Sequence, residues 1–181
     1  MELMERTHRL FFALWPNDAL RDRLAHEVAS IVTDTRARSI PPQNFHITLA
    51  FLGAVQARRL PSVMEAASQV DEAPVELRLE QLEAWPGAHV LCLTPGRCEP
   101  LHRLVDQLRI NLLAHHLEPD QKEFRPHVTI AREWHDRSVE RPIGPFAWSA
   151  HDFVLAESET SRSGSQYRII GRWPLTRSAQ E

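Results

Sequence analysis

The feature that most restricts this chain is a short pattern that occurs twice. It is Phe45-His46-Ile47-Thr48-Leu49 in one place and Pro126-His127-Val128-Thr129-Ile130 in the other. A strand sends alternate side chains to opposite faces. His46 and Thr48 therefore share one face, and Phe45, Ile47 and Leu49 the other. The second copy divides the same way, His127 and Thr129 against Val128 and Ile130. The chain must supply two strands that each bury an aliphatic face and present an imidazole beside a hydroxyl. With ten histidines in 181 residues, requiring Ile, Val or Leu after both His and Thr leaves roughly 0.02 chance matches. Two ordinary half-buried strands would explain the alternation, since threonine favours strands. They would not explain the repeated histidine.

The rest of the chain reads as helices interleaved with strands. Residues 9–15 are an apolar run expected to form a buried strand, stopped by Pro16, with Asn17 or Asp18 capping a helix. In that helix Leu20, Leu24, Val28, Ile31 and Val32 make one stripe. Pro41-Pro42 forces an extended entry into the first motif strand, residues 44–52. A second helix is expected at 61–70, with Pro61 in its first turn. Strands at 75–82 and 90–93 flank a Trp85-Pro86-Gly87 turn. Leu101, Leu104, Val105, Leu108 and Leu112 mark a third helix, and residues 125–132 the second motif strand. A Pro- and Gly-bearing stretch, 141–145, leads to strands at 150–156 and 167–173. The Ser- and Gly-rich residues 158–165 between them read as a loop. The fold class is α+β, and without a long linker residues 1–181 are expected to form one domain.

A net charge of −3 argues against tracking many phosphates along a duplex, yet leaves room to grip one or two. No apolar run approaches the roughly 20 residues of a membrane span. Met1-Glu2-Leu3-Met4-Glu5-Arg6 lacks the basic start and long apolar stretch of a secretory signal. A cytoplasmic location is expected, with Cys92 and Cys98 reduced and Cys92 in the core. His115-His116 closes the third helix, where a cation suits the helix dipole. There is no H-E-x-x-H, no Cys/His zinc pattern and no acidic cluster for magnesium. No metal and no cofactor are expected.

The two copies share an extension: Phe51 lies five residues past His46, and Arg132 five past His127. In a regular strand those offsets put both on the wrong face. A strand end, bend or bulge must re-aim them if they act at the same site. His46-x-Thr48-x-x-Phe51 and His127-x-Thr129-x-x-Arg132 resemble the paired motifs of the two-histidine phosphoesterase superfamily. More narrowly, the chain is similar to the RNA 2′,3′-cyclic phosphodiesterases historically called 2′-5′ RNA ligases (the LigT/ThpR family). The opening Arg9-Leu10-Phe11-Phe12-Ala13-Leu14 fits, as do Asn44, Leu52 and Gly53 around the first motif. Phe124, Pro126 and Ala131 fit around the second, and Leu155-x-x-Ser158 followed by Gly164-x-x-Tyr167 fits near the end.

The resemblance implies two similar lobes, each an antiparallel sheet with helices packed outside, around a central cleft that receives one motif from each. It implies an RNA 3′ end bearing a 2′,3′-cyclic phosphate, or a small cyclic-phosphate nucleotide, as substrate. Water opens the ring, O3′ leaves and a 2′-phosphate remains. His46 is then the general acid on O3′ and His127 the general base, an order that sequence symmetry alone leaves open. The residue types suit the chemistry, because an imidazole with an ordinary pKa of about 6.5 can do either job. Thr48 and Thr129 can donate to non-bridging oxygens, and Arg132 can clamp them in bidentate fashion. Phe51 is assigned to the terminal base or ribose, and Tyr167 to the cleft wall. Reversible 2′-5′ joining or cleavage of RNA, and a non-catalytic RNA-end binder, remain as alternatives. A monomer with no membrane partner is expected.

Overall fold

A computed structural model of the chain describes residues 6–33, 35–135, 139–161 and 164–176. Residues 1–5, most of the charged start considered above, lie outside them. The first apolar run forms β1 (Thr7–Leu14). Leu10, Phe12 and Leu14 are buried on one face and Phe11 and Ala13 on the other, so the run shows no alternation. Asn17 caps α1 (Asp18–Val32), its side chain accepting the Leu20 N–H at 2.9 Å. The short β2 (Arg38–Ser39) precedes β3 (Ile47–Gln56) and α2 (Leu60–Ser68). Then come β4 (Val75–Trp85), β5 (Val90–Pro95), α3 (Glu99–Ala114) and β6 (Val128–Arg132). The chain continues with β7 (Glu140–Ala150), β8 (Asp152–Ser161) and β9 (Gly164–Pro174).

The strands run in the order β7-β4-β5-β6-β3-β1-β8-β9, with β2 beside β6. Every pairing among the described residues is antiparallel. The order divides into two halves that repeat one connection. β1 leads through α1 to β3 alongside it, and β5 leads through α3 to β6 alongside it. β3 and β6 meet at one residue pair, Ile47 with Val128, the residues that directly follow His46 and His127. β2 joins the halves again by pairing Arg38 with Arg132 and Ser39 with Ala131. This is the two-lobed α+β arrangement expected from the resemblance, with the lobes' sheets touching edge to edge.

Leu10, Phe12, Ile47, Leu49, Val128 and Ile130 join the apolar stripes of all three helices in one core cluster. The helices thereby cover one side of the sheet and leave the histidine side of β3 and β6 open. A smaller cluster lies on that open side: Phe11, Ala13, Val154 and Ala156, with Trp15, Phe51 and Tyr167 against it.

Two expectations are corrected. Residues 158–161 and 164–165 are not loop but strand, because β8 and β9 run through them with Ser158 opposite Tyr167 and Thr160 opposite Ser165. Arg162 and Ser163 lie outside the described residues. Glu159 and Thr160 are exposed, so this arm carries no apolar face from which a strand could be recognised. Residues 141–145 belong to β7, which is the outermost strand. An edge strand tolerates proline, whose missing N–H costs nothing where no neighbour needs it. Residues 143–145 bulge opposite Glu80, between the Leu79–Phe146 and Gln81–Pro142 pairs.

Candidate active site

Both motif strands carry an extra residue just past the threonine. Along β3, Ala13 faces Thr48, Phe12 faces Ala50 and Phe11 faces Phe51, so Leu49 has no partner. Along β6, Cys92 faces Thr129, Leu91 faces Ala131 and Val90 faces Arg132, so Ile130 has none. Each bulge shifts the parity by one residue. Phe51 and Arg132 thus come round to the face of Thr48 and Thr129, and a bulge is the device that the offset of five requires. Leu52 is likewise unpaired, and Gly53 beyond it has φ +65°. A Cβ there would meet only Phe51 at 3.6 Å, so the left-handed backbone, not space, calls for glycine.

A cavity of about 330 Å³ opens on this face. It is lined by His46, Thr48, Phe51, His127, Thr129, Arg132 and Tyr167, all seven candidate site residues named from the sequence. Arg9, Phe11, Arg38, Asn44, Ser158 and Ser165 line it too. Phe11 escaped notice because β1 is apolar on both faces, so its cavity side looks like core. Asn44 acts through its backbone carbonyl, which a sequence does not display.

His46 donates from Nδ1 to the Asn44 carbonyl at 2.7 Å. A carbonyl only accepts, so Nδ1 carries the proton and the neutral ring keeps Nε2 as its acceptor. The Thr48 hydroxyl lies 3.1 Å from Nε2 and donates to it. Asn44 is itself tied down, its side chain donating to the Ser165 carbonyl at 3.0 Å. Around the imidazole, Trp15 stacks at 5.0 Å and 10°, Phe11 tilts at 5.0 Å and Tyr167 stands edge-on at 5.3 Å. Burial in this aromatic box lowers the His46 pKa from 6.5 to about 4. The Asn44 carbonyl opposes the shift, and the charges of His127 and Arg132 add to it.

His127 repeats the tether, Nδ1 donating to the Arg125 carbonyl at 2.7 Å. Its surroundings differ. Trp85 lies against the ring at 4.5 Å, and the Arg125 guanidinium covers Trp85 at 4.1 Å. Glu83 holds this group in place, accepting from Trp85 Nε1 at 2.8 Å and from the Thr94 hydroxyl at 2.7 Å. Those two hydrogen bonds push the Glu83 carboxyl below its usual range. The His127 pKa is also lowered, by burial first. The Arg125 carbonyl raises it, the charges of Arg125 and Arg132 lower it, and Glu83 raises it. Trp85, read in the sequence as a turn residue, is thus the platform of the second histidine. Among the described residues no three His, Cys, Asp or Glu side chains gather where they could hold a metal ion. Nor does any helix there have the length and apolarity to cross a membrane.

Two imidazoles with fixed tautomers, two hydroxyls and a guanidinium in one cavity can exchange protons with a bound phosphate ester and neutralise its oxygens. Comparison with known proteins agrees with that class of site. The family model described as the 2′-5′ RNA ligase superfamily matches residues 16–157, and the chain belongs to that family. The RNA 2′,3′-cyclic phosphodiesterase of Escherichia coli is 29 % identical over 178 residues, 96 % of this chain and 99 % of that one. The protein of the same name from Thermus thermophilus is 26 % identical over 182 residues, covering 92 % of this chain and 90 % of that one. The crystal structure of E. coli LigT with 3′-AMP superposes with a TM-score of 0.86 at 26 % identity. It covers 95 % of this chain and 100 % of that one.

Proposed function

We propose that this protein hydrolyses the 2′,3′-cyclic phosphate at an RNA 3′ end and leaves a 2′-phosphate. The observation that carries this reading is the pair of identically tethered histidines, one from each half of the sheet, sharing a cavity with Thr48, Thr129 and Arg132. In-line displacement at phosphorus needs a base on the incoming water and an acid on the departing oxygen, on opposite sides of the reacting atom. The names of the relatives support the same substrate class.

In this mechanism His127 Nε2 takes a proton from water as the water oxygen attacks phosphorus. The P–O3′ bond breaks, and His46 Nε2–H delivers its proton to O3′. Arg132 and the two hydroxyls hold the non-bridging oxygens, where charge is spread in the transition state. The aromatic box disfavours a charged His46 in the empty cleft, so the acid becomes protonated when the phosphate's negative charge enters beside it. Protonation also turns Nε2 from acceptor to donor. Thr48 can then release it and donate to the phosphate instead. No step calls for a metal or a cofactor.

The test is product analysis of an oligonucleotide with a cyclic end, with and without EDTA. The reading expects a 2′-phosphate end in both cases. Unchanged substrate would favour an RNA-end binder, and a joined product formed only with a 5′-hydroxyl RNA would favour the ligase alternative.

A further inference from the structure

We propose that Arg9 receives the phosphodiester on the 5′ side of the cyclic-ended nucleotide, so that RNA ends are preferred over free nucleoside cyclic phosphates. This deepens the phosphodiesterase reading and rests on it.

The cavity wall holds three arginines, Arg9, Arg38 and Arg132. A cyclic phosphate carries one negative charge, and Arg132, next to the second motif, is the cation that serves it. Arg38 is taken up by Glu133, with Nε 3.0 Å from a carboxylate oxygen. Arg9 has no carboxylate partner among the described residues. The carboxylate beside it, Glu157 opposite Leu10 on β8, is occupied by His8 at 2.5 Å and Arg168 at 2.5 Å. Arg9 instead lies over the Phe51 ring, its guanidinium carbon 4.8 Å from the centroid.

Its place along β1 gives the geometry. Ala13 stands opposite Thr48, Phe11 opposite Phe51 and Arg9 opposite Ala54. These alternate residues share the cavity face, so the floor runs from the reacting phosphate, past the aromatic contact, to Arg9. At roughly 3.3 Å per residue, Arg9 lies about two residues, or roughly 7 Å, beyond Phe11. That is the scale of one sugar, not of several nucleotides. A terminal nucleotide with its cyclic phosphate at Thr48 and its ribose or base at Phe51 would direct its 5′ oxygen towards Arg9. Contact with the Phe51 ring holds the guanidinium on the cavity wall, where a phosphodiester can accept two of its N–H donors.

The experiment compares kcat/KM for a cyclic-ended dinucleotide with that for a nucleoside 2′,3′-cyclic phosphate bearing a free 5′-hydroxyl. The parent should prefer the dinucleotide. In Arg9→Gln that preference should fall roughly ten- to hundredfold, the scale of a hydrogen bond to a charged group. Arg9→Lys, which keeps the charge and loses the fork, should fall between. An unchanged ratio in Arg9→Gln, whatever the absolute rates, would overturn the assignment, as would a parent that does not discriminate. Failure of the parent to open either substrate would instead remove the phosphodiesterase reading and this inference with it.

Discussion

In the β3 half, His46 is enclosed by the rings of Phe11, Trp15 and Tyr167. In the β6 half, His127 rests on the ring of Trp85, whose N–H donates to the Glu83 carboxylate and whose face is covered by the Arg125 guanidinium. The tethers are the same, a ring Nδ1 held by the carbonyl two residues earlier, and so are the bulges that follow. The repeated β-α-β frame therefore fixes where each imidazole points, while the neighbours on each side decide what charge it tolerates. An apolar box stabilises a neutral His46. Burial lowers the pKa of His127 too, and there the charges of Glu83 and the two arginines act on it with opposite signs and partly cancel. One duplicated frame can in this way supply two histidines suited to different jobs.

Removing either histidine should break the comparison most severely. His46→Ala and His127→Ala should each lose about 10²–10⁴ in rate on a cyclic-ended oligonucleotide, with the circular dichroism spectrum retained. A variant with near-parental turnover would mean that its half contributes no chemistry. Next come the phosphate-holding groups. Arg132→Lys should cost about 10² in kcat, as expected for a donor aimed at developing charge. Thr48→Val and Thr129→Val should cost less, roughly ten- to hundredfold. The first should be the worse of the two, because only Thr48 also bonds its histidine among the described residues.

A finer test uses the carboxylate that accepts from Trp85. Glu83 raises the His127 pKa, so Glu83→Gln should lower it. If His127 is the base, it then stays unprotonated to lower pH, and the acidic limb of kcat against pH, which reports the substrate-bound enzyme, moves in the acid direction. A limb that moves the other way would contradict the assignment. The smallest effect concerns stability. The unfolded chain protonates His46 near pH 6.5 and the folded chain only at about 4, so the unfolded state binds more protons in that window. Stability is lost as pH falls through it. The urea midpoint of His46→Gln should therefore drop less than that of the parent between about pH 7 and about pH 4.5.

Much of this was legible in the sequence, and the rest was hidden for identifiable reasons. The alternation in the two motifs revealed which side chains face the cavity, because a period of two needs no tertiary information. The offset of Phe51 and Arg132 announced an irregularity without naming it. An unpaired Leu49 or Ile130 is a property of the neighbouring strand's register. β7 was missed because Pro142 and Pro145 are breakers everywhere except at an edge, and edge position is a tertiary fact. Phe11 and Trp15 looked like core, since a second, smaller apolar cluster has the same composition as the first. The Glu83–Trp85–Arg125 group joins the end of β4 to the approach to β6, and no local spacing connects them.

The division of labour between the two halves is tested most directly with a substrate whose bridging 3′ oxygen is replaced by sulfur. A thiolate departs without needing a proton, so the acid becomes dispensable while the base does not. Turnover of this substrate by His46→Ala and His127→Ala should separate them. His46→Ala should approach the parental rate, and His127→Ala should stay slow. Recovery of His127→Ala instead would contradict the account and exchange the two roles.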